Sequence, residues 1–219
     1  MSLNIIILAA GKGKRMHSSL PKVMHKVGGK SMLEHVLISA KKLNPSSINV
    51  VLSPKIESIK KSFGGYDIAW HIQSEQKGTA DAVKIVLPSL KEDEKVLILY
   101  ADTPLIDSNL LDKFINYMPK SDVKVLTVNL EKPFGYGRII REQAEEEIIS
   151  KIIEETEADD LQKNIKECNT GIIFSDVSTL NSLISEVKND NSKKEFYLTD
   201  IVSIANLKNM MVVPLLSKE

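Results

Sequence analysis

One cysteine, Cys168, is all that the 219 residues contain, so no internal disulfide is possible and the fold has to rest on packing and hydrogen bonding. That usage fits a reducing cytoplasm. Aromatic residues are scarce at 5%, and no apolar run approaches the roughly 20 residues that a membrane-spanning helix needs. The opening residues lack the pattern of a secretory leader. Neither sign of charge is in excess: 29 Lys and Arg stand against 29 Asp and Glu, which removes the overall basic field of a nucleic-acid binder. His17, His25, His35 and His71 show no zinc-protease spacing, and no Ser-His-Asp arrangement is supported. No hexapeptide period or other internal repeat is present. These absences lead to the expectation of a soluble, cytoplasmic protein with no nucleic-acid or membrane partner. With 42% apolar residues, the chain can build one large α/β domain over residues 1–219.

What positive charge there is gathers near the amino terminus. Ile5-Ile6-Ile7-Leu8 reads as a buried parallel strand and runs directly into Ala9-Ala10-Gly11-Lys12-Gly13-Lys14-Arg15-Met16, followed after four residues by Pro21-Lys22. Two glycines two apart let the backbone turn tightly and bring several N–H groups to one anion, where a Cβ would intrude. Arg15 offers a planar fork to phosphate oxygens, and Lys12, Lys14 and Lys22 add compact charges. A polyphosphate is the natural guest, although a basic surface turn would carry the same residues. Two familiar phosphate loops are excluded. The dinucleotide pattern fails at Met16, and the kinase-type loop fails because Met24 stands where Gly29-Lys30-Ser31 requires its first glycine.

Strands and helices then alternate. Ser31 to Leu43 is a helix opened by a Ser31/Glu34 capping box, Ile48 to Leu52 a strand, Ile56 to Phe63 a helix and Ile68 to Ile72 a strand. Such alternation predicts a Rossmann-like, mostly parallel sheet with helices on both faces and ligands at the carboxyl ends of its strands. Gln73-Ser74-Glu75-Gln76-Lys77-Gly78-Thr79 follows the third strand, with Thr79 as the expected N-cap of a helix from Ala80 to Leu87. Lys95 to Tyr100 is a buried strand that ends in Ala101-Asp102-Thr103-Pro104. A carboxylate at such an end, facing a polyphosphate, suits Mg²⁺, which takes one or two carboxylates plus phosphate oxygens; Asp102 would equally cap a turn. Further on come a helix from Ser108 to Met118, a strand from Val123 to Asn129, and a hairpin, 138–142 and 148–153, with the acidic tip Glu145-Glu146-Glu147. A helix from Ala158 to Lys166, another from Val177 to Val187 and a third from Thr199 to Leu207 precede a strand from Met210 to Leu216, interrupted by Pro214.

In order along the chain, Leu-Ala-Ala-Gly-x-Gly-x-Arg-Met, Pro-Lys-Val, Gly29-Lys30-Ser31-Met32-Leu33-Glu34-His35-Val36 and Glu195-Phe196-Tyr197-Leu198-Thr199-Asp200 resemble the motifs of sugar-phosphate nucleotidyltransferases. The pattern is similar to the uridylyltransferase domain of the bifunctional bacterial enzyme that makes UDP-N-acetylglucosamine, a cell-wall precursor. The resemblance implies the nucleotide-diphospho-sugar transferase fold with a small hairpin insertion on the sugar side. It also implies Mg²⁺-dependent transfer between UTP and N-acetylglucosamine 1-phosphate. By the same resemblance the nucleotide falls to Leu8, Ala9, Ala10, Gly11, Gly13, Lys22, Gln73, Gly78, Thr79, Tyr100 and Ala101. Arg15, Lys22 and Asp102 fall to catalysis, Asp102 to the metal, and Gly137, Glu154 and Asn169 to the sugar.

Departures from the pattern are specific. Ala101 stands where a glycine is usual, and Thr156 where a lysine commonly follows the sugar-binding glutamate. The Val-Asn-Asn segment that supplies a second metal ligand in the bifunctional enzyme is not in the sequence, nor is a β-helical acetyltransferase domain. Two alternatives therefore accompany the main expectation: the same reaction with another nucleotide or sugar phosphate, and a module that binds a nucleotide sugar with little turnover.

Overall fold

The computed structural model describes residues 2–11, 13, 16–141 and 148–217. Seven strands run in the order β11 (Val212–Ser217), β7 (Val123–Asn129), β10 (Glu167–Asp176), β6 (Lys95–Tyr100), β1 (Leu3–Leu8), β4 (Ser47–Leu52) and β5 (Ala69–Ile72). All neighbours in that path are parallel except β10, which is antiparallel to both β6 and β7. The hairpin β8 (Arg138–Arg141) and β9 (Ile149–Ile153) joins the same sheet through β10. A separate two-stranded ribbon, β2 (Lys26–Val27) with β3 (Lys30–Ser31), lies between the first loop and the first helix.

The uninterrupted apolar run of β1 feeds both faces of the sheet, because successive strand side chains point opposite ways. Ile6 and Leu8 pack with α2 (Thr79–Val86), α5 (Val177–Ile184) and α6 (Asp200–Leu207); Ile5 and Ile7 pack with α1 (Met32–Lys41) and α3 (Ser108–Asn116). The result is three layers, helix on sheet on helix, as the alternation predicts. Ser31 Oγ accepts the Glu34 N–H at 3.2 Å and opens α1, and Asp107 caps α3 through the N–H groups of Asn109 and Leu110.

Several elements differ from expectation. The segment after β4 is a 3₁₀ helix, Pro54–Phe63, in place of the expected α-helix; Ile59 and Phe63 are buried and Ile56 packs against the same core. The helix before β10 shrinks to α4 (Asp160–Lys163), whose Leu161 is 83% exposed and gives it no apolar face to extend. Thr79 is the first helical residue of α2 rather than its cap; Gly78, at φ +127, occupies the cap position, and the Thr79 hydroxyl accepts the Leu198 N–H at 2.9 Å instead. Pro214 does not interrupt β11. At the sheet edge one row of N–H groups has no strand to bond, so a missing donor is tolerated. The acidic tip Glu145-Glu146-Glu147 lies outside the described residues.

Asp200 opens α6 in a cavity of about 500 Å³ that also takes in Glu154, Glu157, Glu186, Lys188 and Asp190. Burial, and then the charges of Glu154 and Asp190, push its carboxyl up to about 6. Gly171, at φ +84, lies under Tyr100: a Cβ there would meet the ring's Cε2 at 2.6 Å. Two predictions follow from these positions. Gly171→Ala lowers stability by about 1–3 kcal/mol in urea unfolding, more than Gly28→Ala, which shares a positive φ but has open space around it. The folded state holds a proton on Asp200 between 3.8 and about 6 that the unfolded chain has released, so this group's contribution to stability falls as pH rises through that window. Asp200→Asn should remove that loss, making the variant gain on the parent with rising pH across the window; a gap that stays constant contradicts the assignment.

Candidate active site

β1 and β6 are adjacent and parallel, with Leu8 opposite Tyr100. Their loops therefore leave the sheet side by side, at the carboxyl ends where the chain turns toward opposite edges of the sheet, β4 and β5 to one side and β10 to the other. The Ala9 N–H bonds Val51 O at 2.9 Å and the Ala101 N–H bonds Leu8 O at 3.0 Å, extending the sheet one residue into each loop. Beyond that point Lys22 Nζ forms an ion pair with Asp102 Oδ2, residues 80 apart in sequence. Gly13, at φ +57, makes room for this approach, since a Cβ there would lie 2.9 Å from the Lys22 Cβ.

A cavity of about 480 Å³ opens over these loops. Ten of the residues expected from sequence line it: Leu8, Ala9, Ala10, Gly11, Lys22, Gln73, Gly78, Thr79, Tyr100 and Asp102. Gly13 shapes the loop without lining the cavity, and Ala101 is fully buried beneath it. Ala101 packs in the core cluster of α1 and α3, where its methyl finds apolar neighbours. Arg15, Lys12 and Lys14 lie outside the described residues.

Gln73 is buried and rigid. Its Nε2 donates to Gly78 O at 3.0 Å and Asp81 Oδ2 at 2.8 Å, so both amide protons are spent inside the protein and only the carbonyl oxygen remains for a guest. Of the two roles open to an amide, donor and acceptor, these bonds leave Gln73 the acceptor. Gly78 is pinned by close backbone contact: a Cβ would fall 2.3 Å from Phe196 O. The Ala80 N–H donates to that same oxygen at 3.0 Å, and the Phe196 N–H donates to Lys77 O at 2.7 Å. Gln76, which sequence reading left without a role, donates from Nε2 to Ala10 O and ties the two loops together across the cavity.

The residues expected from sequence to hold the sugar, Gly137, Glu154 and Asn169, do not line this cavity. The Asn169 N–H donates to Gly137 O at 2.9 Å, and a Cβ on Gly137 would meet Ile152 Cγ2 at 3.0 Å and Asn169 Cβ at 3.7 Å. Asn169 Oδ1 accepts the Gly171 N–H at 2.9 Å, leaving its amide nitrogen for other partners. Glu154, at the end of β9, accepts the Thr199 hydroxyl at 3.0 Å. Tyr100 belongs to both groups of residues: it lines the cavity, and its hydroxyl pKa is raised by burial and then by the nearby Glu154. Lys193 and Glu195 also line the cavity, from the segment just before Phe196. The Glu-Phe-Tyr-Leu-Thr-Asp motif signals that segment in the sequence, but nothing in it singles out Lys193.

Cys168 is fully buried, its Sγ 3.4 Å from Lys166 O, and burial pushes the thiol up, the opposite of what a nucleophile needs. Among the described residues no group of three or more His, Cys, Asp or Glu is arranged to hold a metal ion, and no helix is long and apolar enough to cross a membrane.

This arrangement has counterparts. Residues 5–165 match the model of the MobA-like NTP transferase domain. Over 205 residues, 94% of the chain, the sequence is 44% identical to the bifunctional protein GlmU of Idiomarina loihiensis, and the chain spans less than half, 44%, of that relative's length. Among solved structures, a protein described as a glucose-1-phosphate thymidylyltransferase from Bacillus anthracis, in complex with sucrose, superposes with a TM-score of 0.79 at 21% identity, covering 99% of this chain and 87% of that one. A UDP-glucose pyrophosphorylase complexed with UDP-glucose gives 0.79 at 16% identity, covering 99% and 90%. At such identities the structural likeness is one of fold. The family match spans well over half of the sequence and contains both Lys22 and Asp102: the chain belongs to the MobA-like NTP transferase domains, as a domain of the sugar-phosphate nucleotidyltransferase kind.

Proposed function

We propose that the chain joins UTP to N-acetylglucosamine 1-phosphate, giving UDP-N-acetylglucosamine and pyrophosphate. The observation that carries the reading is the pairing of Lys22 with Asp102 at the mouth of a cavity floored by Ala9, Ala10 and Gly11. The identity to GlmU supports the choice of base and sugar.

The nucleophile is the phosphate of the sugar 1-phosphate. Its second pKa is roughly 6, so it is largely a dianion at neutral pH and needs no general base. It attacks the α-phosphorus of UTP, the bond to the β-phosphate oxygen breaks, and pyrophosphate leaves with that electron pair. The barrier lies in bringing two anions together, so the protein's work is alignment and charge neutralisation. Lys22 is assigned to the α-phosphate. Arg15, from the sequence pattern, is assigned to the departing pyrophosphate. The backbone from Leu8 to Gly13 cradles the triphosphate, the Gln73 carbonyl oxygen accepts the uracil N3–H, and Gly78 and Thr79 supply fixed backbone groups beside it. Gly137, Glu154 and Asn169 hold the sugar, with Glu154 accepting from its hydroxyls.

Asp102 suits magnesium. It is one hard oxygen donor facing the cavity, and magnesium characteristically takes one or two carboxylates and fills its remaining positions with phosphate oxygens and water. When bound, the ion would offset negative charge on the phosphates. Asp102 would then be its protein ligand, and Lys22 would be released from the carboxylate to the substrate.

Pyrophosphate release measured across the four common NTPs and a series of sugar 1-phosphates, with Mg²⁺, tests the reading; UTP with N-acetylglucosamine 1-phosphate should exceed every other pair. Binding of UDP-N-acetylglucosamine without detectable turnover would instead favour a binding module. Lys22→Ala is expected to lower kcat by about 100-fold or more while weakening UTP binding far less, and equal turnover in variant and parent would remove Lys22 from the mechanism. Glu154→Gln should raise KM for the sugar phosphate by about 10-fold with KM for UTP little changed.

A further inference from the structure

The largest fully buried side chain in the described structure is that of an arginine, Arg138, 1% exposed, and no step of the proposed reaction uses it. Its guanidinium gathers three separate pieces of chain. Nη1 donates to Tyr136 O; Nη2 and Nε reach Lys163 O at 3.2 and 3.4 Å; and Nη2 lies 2.7 Å from the buried Glu155 Oε2, an ion pair outside hydrogen-bond alignment. In the sheet, Arg138 stands opposite both Cys168 and Ile153. Each sugar-side residue is therefore one position from an Arg138 contact or strand partner: Gly137 precedes it, Glu154 lies between Ile153 and Glu155, and Asn169 follows Cys168.

We propose that Arg138 is a positioning residue that sets the mutual geometry of Gly137, Glu154 and Asn169, and so determines affinity for the sugar phosphate without touching it. The inference rests on the proposed reaction for the identity of the sugar. Its physical basis is the planar fork: donors fixed in one plane span two carbonyls and a carboxylate that come from three segments, which a single ammonium does not reproduce. The role belongs to the sugar half alone, since no contact of Arg138 reaches the 480 Å³ cavity over the phosphate loop.

The test separates position from stability. Removing one member of a buried ion pair strands the other charge, whereas replacing both by apolar groups often restores stability. Arg138→Met should lower the urea midpoint, and the double variant Arg138→Met, Glu155→Met should recover most of it. In both, KM for N-acetylglucosamine 1-phosphate is expected to rise roughly 10-fold or more, with KM for UTP changed less than about threefold. Arg138→Lys keeps the charge and loses the fork; it should fold and show the same selective rise, which keeps the test decisive if the methionine variants fail to fold. Recovery of the sugar-phosphate KM together with stability in the double variant, or a parallel rise in both KM values, would overturn the assignment. Calorimetric titration with UDP-N-acetylglucosamine gives a readout without turnover. A parent chain that neither turns over nor binds it overturns the functional reading itself; a parent that binds while Arg138→Lys binds equally well overturns only the role of Arg138.

Discussion

The pairing register of β1 against β6 is the constraint from which the site derives. With Leu8 opposite Tyr100, the glycine turn and the Asp102 turn start from the same level of the sheet and emerge on the same side. Strand side chains alternate between faces, so a slip of one residue would exchange the inward and outward sets of the whole strand. Close packing opposes that: Ile5, Ile6, Ile7, Leu97, Ile98 and Leu99 are all at 0% exposure in one of the two helical layers, so a slip would require both layers to repack. Hydrophobic packing on both faces thus fixes the spacing of two charged groups 80 residues apart. The Lys22–Asp102 pair is a consequence of the fold more than a cause of it. Its side chains are about a third exposed, so water screens the attraction and little stability comes from it.

The two halves of the site are built by different means. The proposed nucleotide side is the cavity over the β1 and β6 loops, where Ala9, Ala10, Gly11 and Gly78 stand beside larger polar residues, among them Gln73, committed to Gly78 and Asp81. That arrangement is stiff and leaves few ways to reorient. On the proposed sugar side the architecture is a hairpin laid against one end of β10, held by a buried ionic and hydrogen-bonded junction at Arg138 and by a second pair, Arg141 with Glu167, where Nη2 and Oε1 are 2.7 Å apart. Tyr100 belongs to both halves, seated over Gly171 on one side and open to the cavity on the other.

How much of this was legible in the residues follows from where each signal lives. The layer architecture was, because an unbroken apolar run such as Ile5 to Leu8 has few alternatives to a buried parallel strand. Ten cavity residues were, because the motifs that carry them resemble those of the sugar-phosphate nucleotidyltransferases. The hairpin was expected, but not the separate ribbon at Lys26–Val27 and Lys30–Ser31, which is two pairs long and leaves no periodicity to detect. Thr79 was misplaced by one position because a Ser or Thr cap is the usual rule, whereas here tertiary contact with Phe196 demands glycine at that point. Pro214 predicts a break in the last strand because a sequence does not reveal which strand lies at the edge. Arg138 carried no sign at all: a lone arginine in a strand looks solvent-exposed until its carbonyl and carboxylate partners, distant in sequence, are known.

The seam between Gly78 and the Phe196 backbone has a bearing on how such a domain diversifies. Main chain touches main chain there, so the span from the loop of Gln73 to Thr79 to the Thr199–Glu154 corner is set by peptide geometry and is blind to most side-chain substitutions on either flank. The two ends can accordingly drift independently, while the ruler between them keeps its length. Insertion or deletion within that seam is the change such a scaffold would tolerate least.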